Sequence, residues 1–406
     1  MVTDHAWAER ALHHATQIAT RMGARGATTP EEKHTADYAH KQMQQLDLMQ
    51  ARLEPFAAPA YGWLVIAFAF SLAVWSVFGC WAAFYLTQTK FIGGVLGAAL
   101  SAFALIILYL EATLHDNPLR RWVARSRSHN VIGGQPPAEA ITQRVVLVSY
   151  LDTPPAARSF KTPRRARFFR GTIILGALSL LASVPLYLLG GLNVWAWAFV
   201  GAGLCGLLQS LMIFQALQAD HGDFTPGANN NASGMGVMLA LAERIKSTPL
   251  RHTEVWFVCC GSQTTGSVGL RALLQQHSDE LGEAWFIGFE GVGVGQRLIG
   301  IQREGWPGRS LHPALRDLLE RTRRENPALP IESLTTPRNT VVAAATRHGL
   351  KSLCLSVYAD TNHLPYAYSR DDDVAHLEVE ALKKALTAGW ELLQQIDRGE
   401  EAAAPV

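Results

Sequence analysis

Four stretches of the chain, residues 63–86, 91–114, 171–189 and 194–217, are apolar around the whole circumference of a helix. A helix needs roughly 20 such residues to cross the hydrocarbon of a bilayer, so each stretch predicts a membrane-spanning helix. A buried core helix of that length would show a polar face. Interruptions are few: Glu111 near the end of the second run, Pro185 inside the third, and Gln209 in the fourth. Residues 87–90 join the first two runs and residues 190–193 the last two, which makes two helical hairpins.

Elsewhere the pattern has the shorter periods of a folded α/β domain. Helices are expected at 6–22, 30–46, 232–246, 266–277, 313–325 and 376–396; Thr28, Thr29 and Pro30 form a start signal for the second. Strands are expected at 51–56, 129–133, 144–150, 254–260, 284–290 and 351–358. The run at 144–150 is apolar on both faces, as in a covered parallel strand. This alternation predicts a mostly parallel central sheet with helices on both faces, interrupted by the two hairpins. The divisions are 1–60 (first part of the α/β domain), 61–114 (first hairpin), 115–170 (middle part with a basic linker), 171–217 (second hairpin), 218–396 (main part) and 397–406 (a disordered tail).

Charge sets the expected orientation. Arg120, Arg121, Arg125 and Arg127 follow the first hairpin, and Arg158, Lys161, Arg164, Arg165, Arg167 and Arg170 precede the second, whereas the hairpin tips carry only Lys90. By the positive-inside rule the polar parts and both termini are expected in the cytoplasm. The basic stretch suits anionic lipid head groups, and the lipid bilayer rather than a nucleic acid is the expected partner. Cys80, Cys205, Cys259, Cys260 and Cys354 show no spacing for a metal knuckle or a disulfide framework. The first residues lack the apolar core of a signal peptide. The glycines at 291, 293 and 295 lack the helix start that a dinucleotide site requires.

Several motifs carry candidate chemistry. They are HNVIG at 129–133, VVLVSYLDT at 145–153, PGANNNASG at 226–234, FVCCGSQTTGSVG at 257–269, FEGVG at 289–293 and YSRDDD at 368–373. In this order, after RMGARGATTPEEKHTADYAHKQMQQL at 21–46, they resemble the M28 family of zinc-dependent aminopeptidases and its glutaminyl-cyclase relatives. The resemblance implies two zinc ions at the carboxyl ends of the strands, held by two histidines, a bridging aspartate and two further carboxylates. It also implies a glutamate acting as general base on the metal-bound water.

At the matching positions this chain departs from that set. Tyr150 stands for the first histidine, Asn230 for the bridging aspartate, Gln263 for the general base and Thr264 for the next ligand. Glu290 keeps an acidic ligand position, and Asp152 keeps an aspartate that orients rather than binds. Tyr368 stands for the last histidine, or His363 if the register shifts by several residues. Zinc takes imidazole, thiolate and carboxylate donors, so at most two ligands survive where three or four are normal. Carboxylates clustered without a cation would repel one another, and their replacement suits a pocket without metal. The expectation is therefore no zinc cofactor, and an inactive scaffold or binding module for another membrane protein or a peptide-like ligand. The alternative is a working zinc hydrolase with relocated ligands drawn from Glu290, His363, Asp360, Asp371, Asp372 and Asp373. A transporter or channel role finds little support in helices with so few polar groups.

Overall fold

The computed structural model describes residues 2–123, 126–195, 197–359 and 362–399. In chain order, helices α1 (Asp4–Arg21) and α2 (Pro30–Gln45) precede strand β1 (Met49–Ala58). Helices α3 (Leu64–Thr87), α4 (Lys90–Ala112) and the short α5 (Pro118–Val123) come next, then strands β2 (Ser126–Gln135) and β3 (Gln143–Tyr150). Helices α6 (Pro163–Gly191), α7 (Ala198–Ala219) and α8 (Gly234–Ser247) lead to β4 (Thr253–Cys260), α9 (Val268–Gln276) and the one-turn α10 (Ser278–Leu281). Strands β5 (Trp285–Phe289), β6 (Arg297–Glu304) and β7 (Arg309–Ser310) follow, then α11 (Pro313–Glu325) and β8 (Ile331–Thr336). The chain closes with α12 (Ala343–Arg347), β9 (Lys351–Tyr358) and α13 (Val379–Arg398). These elements fall into two compact units: Met1–Ala60, Arg125–Pro154 and Asp223–Val406 in one, and Tyr61–Ala124 and Pro155–Gly222 in the other.

The first unit is an α/β fold around one sheet, ordered β1-β2-β4-β3-β5-β9-β6-β7, with β8 paired to β6. The sheet is mixed. Its centre is parallel (β4-β3-β5-β9), while β1-β2-β4 and the β9-β6-β7 side pair antiparallel. Val145, Val146, Leu147 and Val148 of β3 are fully buried. Each such side chain contributes about 1.5–3 kcal/mol, which explains why this strand is legible as a continuous apolar run.

Thr3 caps α1 through its side chain and Thr29 caps α2, where Pro30 opens the helix. Strands β6, β7 and β8 and helix α12 were not expected. Charges at Arg297, Arg303 and Glu304 frame the short apolar middle of β6, and the partners that make it a strand, Leu298↔Val357 among them, lie far along the chain. Helix α8 begins at Gly234 instead of 232 because Asn230 and Asn231 hold non-helical dihedrals. Helix α9 begins at Val268 instead of 266, because Gly266 (φ 107°) and Ser267 (φ 54°) turn left-handed. The last helix runs to Arg398, past the expected start of the tail at 397; residues 400–406 of that tail lie outside the described residues.

The second unit contains four helices long and apolar enough to cross a membrane: α3, α4, α6 from Arg164 onward, and α7. Phe70, Ile107, Leu180 and Met212 fill its interior, while Trp81, Leu86, Leu204 and Leu207 face outward. Helix α4 meets α6 at small residues. A Cβ on Gly94 would sit 2.5 Å from the Tyr187 carbonyl oxygen, and one on Gly97 would sit 2.6 Å from the Tyr187 ring. The interior polar groups pair locally: Ser76 Oγ bonds to the Tyr187 phenol at 2.9 Å, and Gln209 Nε2 donates to Ser183 Oγ at 3.1 Å. Helix α6 starts eight residues earlier than its apolar core at 171, so the basic residues from Arg164 to Arg170 are helical.

Candidate functional site

Because β3, β4 and β5 are parallel neighbours, their carboxyl ends share one edge of the sheet. Each delivers a side chain there: Tyr150 and Asp152 from β3, Gln263 and Thr264 from the turn after β4, and Glu290 directly after β5. The loop before α8 adds Asn230, whose side-chain Oδ1 accepts the Tyr150 hydroxyl at 2.6 Å. Tyr150, Asp152, Asn230 and Glu290 are all buried, whereas Thr264 is half-buried.

Asp152 is fully engaged. Its carboxylate accepts the Gln263 amide N–H at 2.7 Å, the Thr264 N–H at 2.9 Å and the Thr264 hydroxyl at 2.5 Å. Burial still raises its pKa above the ordinary aspartate value, although those donors pull it down. Gln263 donates its side-chain amide to Ser267 Oγ (3.0 Å) and to the Thr340 carbonyl (3.1 Å). A glutamate here would point an anionic oxygen at that carbonyl, so this position is built for an amide.

Glu290 is the acidic position that the sequence retains, and it faces an arginine. Its Oε1 pairs with the Arg338 guanidinium at 2.9 Å, and its Oε2 accepts the Val341 N–H at 2.9 Å. Burial alone would lower the Arg338 pKa; the Glu290 charge outweighs it and the net direction is up. The Tyr150, Tyr358 and Tyr368 phenols lie within range of the same guanidinium charge. Burial, followed by the Glu290 charge, pushes the Tyr150 phenol well up, so it remains neutral. Arg338 was not among the expected site residues. It lies in the loop after β8, a strand that local pattern did not reveal, so nothing in the sequence placed it beside Glu290.

Tyr368 belongs to this cluster electrostatically, while His363 is exposed. Asp372 ties this loop to the one before α8: its carboxylate accepts the Asn229 N–H (2.7 Å) and the Asn230 N–H (3.1 Å). Burial raises the Asp372 pKa to about 6. Asp371 is exposed and bonds to Ser369; Asp373 pairs with His376. Asp360 lies outside the described residues.

Two more residues support the site from behind. Arg25 is fully buried and donates to the carbonyls of Gly23 (2.6 Å), Leu151 (3.1 Å), Pro226 (2.8 Å) and Gly227 (2.9 Å). It ties three chain segments together, and burial lowers its pKa to about 10. Glu32 on α2 accepts the N–H groups of Ser262 (2.6 Å) and Thr28 (2.7 Å) and the Ser128 hydroxyl (3.0 Å). Burial, and then the Asp152 charge, lift the Glu32 pKa to about 8.

This donor set does not suit a zinc pair. Tyr150 and Thr264 keep their protons and donate them within the protein, Asp152 is saturated by three donors, and Glu290 already holds a cationic partner. Among the described residues, no group of three or more His, Cys, Asp or Glu side chains converges on an ion-sized gap.

Comparisons with known proteins agree on the scaffold. The family model for peptidase family M28 matches residues 218–392. The alkaline phosphatase isozyme conversion protein of Escherichia coli strain K12 is 43% identical over 53 residues, which is 13% of this chain and only 15% of that protein's length. A leucine aminopeptidase precursor from Bacteroides thetaiotaomicron superposes with a TM-score of 0.54 at 12% identity, covering 95% of this chain and 96% of that one. A zinc aminopeptidase from Bacillus subtilis gives 0.53 at 14% identity, covering 97% and 95%. Glutaminyl cyclase from Bacteroides thetaiotaomicron gives 0.54 at 11% identity, covering 95% and 97%. At such identities the structural likeness speaks for the fold alone; with the family match over residues 218–392 it gives this chain an M28 peptidase-like fold.

Proposed function

We propose that this chain is a membrane-embedded M28 peptidase-like protein without peptidase activity, whose α/β unit acts as a scaffold or binding module for a membrane partner or a peptide-like ligand. The carrying observation is the Glu290–Arg338 ion pair at 2.9 Å. A guanidinium supplies, from within the chain, the positive charge that this carboxylate would otherwise offer to a divalent ion. Gln263 cannot accept a proton near neutral pH, so a water at this edge has no general base in its place.

Membrane embedding is supported by the four long apolar helices. The chain enters and leaves the helical unit where α3 and α6 begin and α4 and α7 end. The basic residues preceding α6 and in its first turns gather at that end; the opposite end carries Lys90, which bonds to Asn193 Oδ1 at 3.2 Å. By the positive-inside rule the basic end faces the cytoplasm, and the termini with it.

The test is metal analysis of the detergent-purified full chain, together with a screen of aminoacyl and N-terminal glutaminyl peptides. Substoichiometric zinc and no turnover are expected. Stoichiometric zinc, with turnover that Glu290→Gln abolishes, would overturn the proposal.

A further inference from the structure

Helix α6 is 29 residues long, about 43 Å at 1.5 Å per residue. The hydrocarbon layer is about 30 Å thick, so the apolar part from 171 onward fills it and the first eight residues project by about 12 Å. That projection and the turn before it carry Arg158, Lys161, Arg164, Arg165, Arg167 and Arg170. No Asp or Glu occurs between Asp152 and Asp220 in the sequence. Among the described residues, Arg158, Lys161, Arg164, Arg165 and Arg167 form no ion pair, and all five are exposed. Arg170 bends back to the Ala166 carbonyl at 3.2 Å.

This placement is electrostatically unfavourable by itself. The first turns of a helix carry the positive end of its dipole, which favours anions and disfavours cations. The first turn of α6 has no acidic residue to offset it. Beside the basic turns, Trp63, Phe160 and Phe169 form an aromatic cluster with ring centroids 4.9–6.0 Å apart, and Phe168 is exposed. Of these, Trp63 is the residue type that favours the interface between head groups and hydrocarbon.

We propose that these turns form a collar that binds the head groups of anionic phospholipids; this rests on the membrane-spanning reading above. The charges are spread along and around a helix and a preceding turn and do not converge in a pocket. A plane of separate phosphate groups satisfies that geometry, whereas a single small phosphate ligand reaches only part of it. A lipid surface is also the partner already at hand where the helix leaves the hydrocarbon.

Lipid binding to the detergent-purified full chain can be counted by native mass spectrometry during titration with phosphatidylcholine or phosphatidylglycerol. Phosphatidylglycerol should bind more tightly. Replacing Arg158, Lys161, Arg164, Arg165 and Arg167 by Gln should weaken that preference by roughly fivefold per charge removed, on the order of a thousandfold if the five contributions add. A companion variant with the four arginines changed to Lys (Arg158→Lys, Arg164→Lys, Arg165→Lys, Arg167→Lys) should retain it. Equal binding of both lipids to the unchanged protein, an undiminished preference in the Gln variant, or displacement of phosphatidylglycerol by inorganic phosphate or a short nucleic-acid duplex would overturn the collar. Alkaline extraction of native membranes separates this from the premise. Release of the chain sinks the membrane-spanning reading itself, whereas retention of the chain without lipid preference sinks only the collar.

Discussion

The two units bury polar groups in different ways. The α/β unit buries ionisable side chains, among them Arg25, Glu32, Asp152, Glu290, Glu304 and Asp372, and gives each several fixed partners. The helical unit buries mainly neutral groups. Its Ser76–Tyr187 and Gln209–Ser183 contacts are short hydroxyl and amide bonds, and its charged pair, Glu111–Arg120, lies at the end of α4. The difference follows from how the backbone is satisfied. Strand ends and loops leave N–H and C=O groups unpaired, and charged side chains can meet several of them at once. A long helix satisfies its own backbone, so little is left for a charge to bond.

The strongest way to break this comparison is Arg25→Ala. Four backbone carbonyls lose their donor inside the protein, so a loss of about 3–5 kcal/mol is expected, read from denaturant unfolding of the α/β unit's signal. Next comes Arg338→Met, which strands Glu290 beside a neutral side chain. With Arg338 partly exposed, about 2 kcal/mol is expected. The double variant Glu290→Gln, Arg338→Met should recover part of that loss, and additive single effects in the cycle would dissolve the pair as a unit.

In the helical unit the largest response should come from packing rather than charge. Gly94→Leu drives a side chain into the α6 backbone near Tyr187 and Gly191 and should cost about 1–3 kcal/mol, measured as a lowered midpoint in detergent unfolding. Gln209→Leu should cost only about 0.6 kcal/mol, because interhelical polar bonds in a bilayer are worth little on average. A larger loss there would mean that the polar interior of the bundle matters more than its packing.

Glu32 sharpens the contrast through pH. Its folded pKa of about 8 stands above the ordinary value of 4.5, so the folded state binds the proton more strongly. Its contribution is fully present below pH 4.5 and is lost as pH rises through about 8. Asp152 and Asp372 are shifted in the same direction. Glu32→Gln should flatten the decline in melting temperature between roughly pH 5 and 8.5. It should also lower stability somewhat at pH 5, because the Thr28 N–H would meet an amide donor. A decline as steep as that of the unchanged protein would assign the effect to the aspartates.

Most helices and the central strands were legible because their signals are local. An apolar run such as 145–148 reports burial on both faces, and Thr29-Pro30 reports a helix start. Strands β6 and β8 were missed because their polar ends hide a pairing that distant residues complete. The site was legible in part. The motifs located Tyr150, Asp152, Asn230, Gln263, Thr264, Glu290 and Tyr368, and the fold carries the first six to one sheet edge, with Tyr368 in range of the Arg338 charge. Arg338, Arg25 and Glu32 were not singled out, since a charged residue in a polar loop or in the first turn of a helix looks like any solvated one.

By itself the sequence determined the four apolar helices, the α/β alternation and the neutral side chains at Tyr150, Asn230, Gln263 and Thr264, because each depends on composition within a short window. Only the tertiary structure decided what those positions face. Asn230 accepts from Tyr150, Asp152 is saturated by the turn after β4, and Glu290 is held by an arginine 48 residues further along the chain. Hydrogen bonds and ion pairs act over a few ångströms, and no local pattern encodes which distant loop will arrive at that distance.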